Sequence, residues 1–150
     1  MKPPLSPAHG TSLGTTAGIT AVITVVVALS VLAQCSHLSG LPAVLAPLSL
    51  VALVLGAGAL YDARNEIGRA LDLASTDARE SGIAAARGLT RFHLGMAGVF
   101  AGGGLAAAFR FPLNESALGW IAPALALLMS GVALARALSW FLEARRREAG

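Results

Sequence analysis

Four long apolar runs divide the chain, and one charged run separates the second from the third. The apolar runs are Ala17–Cys35, Leu41–Tyr61, Phe92–Phe111 and Ala117–Phe141. Each is close to the roughly 20 mostly apolar residues that cross a bilayer core as a helix. The third run is the weakest, because Gly95, Gly98, Gly102, Gly103 and Gly104 dilute it. A re-entrant segment is the alternative for such a stretch. Counting it as a crossing closes the topology, so the predicted fold is an all-α integral membrane protein with four transmembrane helices.

The charged run, Tyr61–His93, is itself helical by pattern. Leu60, Ala63, Ile67, Leu71, Ala74 and Ala78 recur at spacings of three and four and share one helix face. Glu66 and Arg69, and Arg69 and Asp72, stand three apart and are expected to pair across a turn. No proline interrupts the chain from Leu48 to Phe111. The best break is Ser75–Asp77, where Asp77 is a helix cap and Glu80 stands at the position of a capping-box acid. The second and third helices are therefore expected to extend past the membrane as a hairpin over 62–91. A lead at 1–16 precedes the transmembrane domain at 17–141, and a basic tail at 142–150 follows it. The echo of DARNEIGRA at Asp62 in DARESGIAA at Asp77 is too short to make a repeat architecture.

Composition agrees with this reading. Apolar residues make up 55% of the 150 residues and charged ones 13%, about half the charge of a soluble domain. Mean hydropathy is +0.70. Five of the 11 basic and five of the eight acidic residues fall in Tyr61–His93, so the run is balanced in charge and gives no basic footprint for nucleic acid. With four crossings, every basic residue except Arg110 lies on or nearest the side of the termini and the hairpin. The positive-inside rule then makes that side cytoplasmic. The first run is expected to stay uncleaved, since AQC is a poor cleavage site. Arginine and alanine dominance suggests a bacterial source, and hence the inner membrane.

The fourth run carries interfacial markers at both ends. Trp120 and Trp140 stand twenty residues apart, about 30 Å along a helix, which matches a bilayer core. Arg136 lies one turn inside Trp140, placed to snorkel to the headgroups. These three are the expected membrane-interface anchors. Gly14 and Gly18, and Gly98 and Gly102, form GxxxG pairs, with Gly95 one turn earlier. Small residues at this spacing let helices approach closely, so these five are the expected packing positions. The third helix is thus expected at the packed centre, although broken glycine-rich helices also line transport paths.

Candidate chemistry is sparse. The single Cys35 excludes an internal disulfide and any multi-thiolate metal site. His9, His37 and His93 fall at different depths, so no axial pair for haem arises. The apolar runs contain no acidic residue for a proton or sodium carrier. No HExxH, CxxC or phosphate-binding loop occurs. Asn114–Ser116 matches a glycosylation acceptor that a bacterium would leave idle. No catalytic residue, cofactor or metal is assigned.

Three functions remain in view. The first is a non-catalytic subunit or scaffold of an inner-membrane complex. It would dock a membrane or cytoplasmic protein through Arg64, Arg69, Asp72, Arg79 and Glu80. The second is a self-associating channel, transporter component or holin-like pore built on the glycine-rich helix. The third is an interfacial lipid-modifying enzyme with Glu66, Asp72, Asp77 or Glu80 as acid or base.

Overall fold

The computed structural model describes residues 6–35, 37–110 and 117–149, with side-chain surroundings given for all of these except 109, 110 and 117–120. Four helices account for nearly all of it: α1 (Pro7–Cys35), α2 (Leu41–Leu73), α3 (Ala78–Arg110) and α4 (Ala117–Ala149). There is no strand among the described residues. Pro7–Cys35, Leu41–Leu73 and Ile121–Ala149 are long and apolar enough to cross a membrane. Over its described residues α3 does not join them.

Water would disfavour α1 as a helix, since Val22–Val27 is a run of β-branched residues. In lipid every backbone group must be bonded within the segment, and only a helix does that here. Its hydroxyls are satisfied the same way: Thr11, Thr15 and Thr24 each donate to the carbonyl four residues back. Gly40, at φ 65°, turns the chain into α2, and Pro42 sits in the first turn, where no N–H is needed. The other end of α2 closes on Leu73, whose carbonyl accepts from the N–H groups of Thr76 and Asp77. The Asp77 carboxylate then accepts from the N–H groups of Arg79 and Glu80, both at 2.9 Å, and starts α3.

The helices form an open row. α1 packs on α2, α2 on α3 and α3 on α4; α1 only grazes α3, and α4 meets neither α1 nor α2 among the described residues. Both neighbours of α3 run antiparallel to it. Ser49 of α2 donates to the Gly102 carbonyl at 2.7 Å, Ser81 of α3 donates to the Ala70 carbonyl at 2.7 Å, and Ser130 of α4 donates to the Ala97 carbonyl at 3.0 Å. All three serines are buried. A buried hydroxyl is costly unless bonded, and bonded across helices it fixes their register.

All four helices outrun the apolar segments. α1 starts at Pro7, ahead of its apolar run, because Gly10 and Gly14 seat it against Leu71 and Ile67 of α2. α4 continues through the basic segment that reads as a tail in the sequence. Ala144 is buried there, Arg147 pairs with Glu143 one turn back, and Glu148 reaches Arg87 of α3. α3 runs unbroken through Gly102–Gly104.

Candidate functional site

The charged ends of the helices sort their side chains into two sets. The first set is spent on internal packing. Arg91 of α3 meets Glu66 of α2 at 3.1 Å, and Arg87 of α3 meets Glu148 of α4 at 2.7 Å. Arg147 holds Glu143 at 3.0 Å within α4. The expected pairs of Arg69 with Glu66 and with Asp72 do not form. Glu66 turns inward because α3 brings a cation to its inner side, and Arg69 stays in solvent. One oxygen of Glu66, Oε2, is buried without a hydrogen-bond partner.

The second set faces outward. Arg64, Arg69, Asp72, Arg79 and Glu80 are all exposed, and none has an ion pair among the described residues. Arg64, Arg69 and Asp72 share one face of α2. With Tyr61, Asn65 and Gly68 they line a shallow polar depression of about 580 Å³. Arg79 and Glu80 lie apart from it in the first turn of α3, next to the Asp77 cap. Asp77 itself is engaged with the backbone, so its carboxylate serves the turn.

Tyr61 also ends a second concavity, an apolar groove of about 660 Å³ between α1 and α2. Its walls are side chains such as Val22, Val25, Leu29, Leu50 and Val54. Its floor is low because Ala21, Ala28, Ala57 and Gly58 are small. The groove and the depression meet at Tyr61, so the outer face of α1 and α2 passes from apolar to polar at one residue.

The glycines fall on three interfaces. A Cβ at Gly98 would lie 2.8 Å from the Ala52 carbonyl oxygen and 2.8 Å from the Gly56 Cα. At Gly95 it would lie 2.9 Å from the Gly56 oxygen, and at Gly102 2.9 Å from the Ser49 oxygen. These three face α2 at backbone contact. Gly14 faces Ile67 at an ordinary 3.8 Å, and Gly18 leaves room for the Arg64 stem, whose Cδ would be 3.3 Å from a Cβ there. Four more glycines, none of them among the expected packing positions, also sit at helix contacts. Gly56 is the α2 partner of Gly95 and Gly98, Gly10 extends the α1 stripe, Gly88 faces Ile67, and Gly104 faces Ala126 of α4. The spacing of Gly10, Gly14 and Gly18 was the available signal for the stripe. Nothing in the spacing marks Gly56.

Of the expected interfacial anchors, Arg136 is exposed and Trp140 half-buried. The side chains of Trp120 and Arg110 lie outside the described residues, as does Asn114–Ser116. His9 bonds Ser6, and His93 bonds the Leu89 carbonyl on its own helix. Among the described residues no three His, Cys, Asp or Glu side chains gather as metal ligands. No known protein family, characterised protein or solved structure matches this chain.

Proposed function

We propose that the protein is a non-catalytic subunit or scaffold of a bacterial inner-membrane complex, and that it docks a protein partner through the outward charges of α2 and α3. The observation that carries this reading is the division of charges. Arg91 and Glu66 between α2 and α3, and Arg87 and Glu148 between α3 and α4, are paired, while Arg64, Arg69, Asp72, Arg79 and Glu80 present both signs to solvent without an ion pair among the described residues. Charge pairs across an interface set recognition and register, and like-charge contacts there cost several kcal/mol. The glycine-rich α3 supports a pore less well, because Gly95, Gly98 and Gly102 are taken up in backbone contact with α2.

The charge reversal Arg69→Glu/Arg79→Glu is expected to abolish co-purification of a stoichiometric partner from native membranes. Expression and helical content should stay unchanged, because neither arginine contacts another helix through an ion pair. Wild type that brings down no partner at all sinks the docking reading and leaves self-association as the better account.

In the same proposal all four helices cross, the charged ends of α2 and α3 form a cytoplasmic hairpin, and both termini are cytoplasmic. The packing of α3 supports its crossing. Its Gly102 and Gly104 lie level with Ser49 and Ala126, inside the apolar parts of α2 and α4. A helix flanked on two sides needs little lipid-facing hydrophobicity. Reporters placed at Thr76 and after Gly150 are expected to read cytoplasmic, and one at Ser39 external. A cytoplasmic Ser39 would remove the four-crossing topology.

A further inference from the structure

We propose that the outer face of α1 and α2 holds one anionic phospholipid, with an acyl chain in the apolar groove and the phosphate between Arg64 and Arg69. The site shares Arg64, Arg69 and Asp72 with the proposed docking surface, but lipid binding there does not require a protein partner.

Three features select this occupant. The groove lining is apolar up to Tyr61, and from Tyr61 onward the adjoining depression is polar. A phospholipid has one such change of character along its length. An apolar partner helix seated in the groove would instead have to continue past two unpaired guanidinium groups. The depth also fits. Arg64 and Arg69 follow Tyr61 on α2 by about 4.5 and 12 Å of helix rise, and the headgroup layer occupies roughly 5–8 Å beyond the hydrocarbon edge. Arg64 thus falls within that layer, and the Arg69 backbone lies about 4 Å beyond it, a gap its long side chain can span because helix side chains lean toward the N-terminus. The third feature is charge. Guanidinium groups bind phosphate through paired N–H donors. Neither Arg64 nor Arg69 has an ion pair among the described residues.

Gly18 contributes to the site. The Arg64 stem runs over it, with Cδ 3.3 Å from where a Cβ would be, so Arg64 is held at the rim of the groove between the two helices. Asn65 adds an amide to the lining, and Asp72 closes the far end with a negative charge. The lining therefore carries two cations and one anion, with the cations nearer the groove. Asp62 is exposed beside Tyr61 but is not part of the lining.

The test is lipid titration of the purified full chain in detergent, read by native mass spectrometry. Phosphatidylglycerol is compared with phosphatidylcholine carrying the same acyl chains. Wild type is expected to take up one phosphatidylglycerol per chain with a preference of about tenfold or more, the size of effect two arginines beside an anionic headgroup supply. Arg64→Gln/Arg69→Gln should bring the two lipids to near parity, with phosphatidylcholine binding unchanged. Gly58→Phe, which fills the groove from a position with open space above it, should lower the binding of both lipids. Arg145→Gln/Arg146→Gln is the control and should leave the preference intact. Equal binding of the two lipids by wild type overturns the site. So does loss of the preference only in the Arg145/Arg146 variant, which would place the anion at the end of α4. Because no partner is present, failure here leaves the docking reading standing, and a lipid-binding protein that recruits no partner leaves this site standing.

Discussion

Replacing Gly98 with alanine is expected to destabilise the protein by about 1–3 kcal/mol in detergent, and leucine there by more. The added Cβ would sit 2.8 Å from both the Ala52 carbonyl oxygen and the Gly56 Cα. Both are backbone atoms of α2, so no rotamer change relieves the overlap, and the two helices must move apart. Separation would also weaken the close approaches at Gly95 and Gly102 and stretch the 2.7 Å bond from Ser49 to the Gly102 carbonyl. The contrast lies five residues along the same helix. A Cβ at Gly103 would meet nothing within 4 Å. Gly103→Ala should therefore be neutral, or stabilising by up to about 1 kcal/mol through helix propensity. Thermal melts of the two variants in one detergent decide the matter: equal shifts would mean that α2 and α3 do not meet at Gly98.

The existence of the helices was legible in the sequence, and their extent much less so. The apolar runs mark where lipid would cover the chain, but helix ends answer to packing as well. Gly10 extends α1 because Leu71 lies across from it, and Arg147 and Glu148 extend α4 because Glu143 and Arg87 lie within reach. Those partners are distant in sequence or depend on which face is turned inward. The Asp77 break was visible because a cap is a local device, complete within three residues. Glu66 was misjudged for the opposite reason: its neighbour at Arg69 is local, and its partner Arg91 is 25 residues away on the next helix. A local pair on an exposed helix contributes only about 0.2–0.5 kcal/mol, so a better-placed cation readily displaces it.

The candidate surface divides along the same line. That Arg64, Arg69, Asp72, Arg79 and Glu80 face water could be read from periodicity, because they fall off the apolar face. That three of them line a depression adjoining an apolar groove could not, since the groove depends on α1 lying along α2 with small residues at the floor. The glycines were visible as a class, but their partners were not. Gly18 reads as a helix-packing position in the sequence, and in the fold it accommodates the stem of Arg64 from α2.

The second large effect is expected at Arg91. Arg91→Ala leaves the Glu66 carboxylate between α2 and α3 with no cation. The Glu66 side chain is only 14% exposed, and its Oε2 already lacks a partner. Breaking a fully buried pair by removing one member costs about 3–5 kcal/mol, because the surviving charge is stranded. Glu66 keeps some access to water, so about 2 kcal/mol is the expected loss. The reverse change should be milder. Glu66→Gln keeps the shape of the side chain, and Arg91, 42% exposed, can turn its guanidinium to solvent, for a cost near 1 kcal/mol or less. The double variant Glu66→Gln/Arg91→Ala should then be more stable than Arg91→Ala alone, since nothing charged remains stranded. Arg87 and Glu148 supply the comparison. Their side chains are 47% and 32% exposed, and Arg87→Ala should cost well under 1 kcal/mol. A double-mutant cycle in detergent reads the coupling directly. Additive, equal losses at Glu66 and Arg91 would mean that the α2–α3 contact is held by its glycines and serines alone.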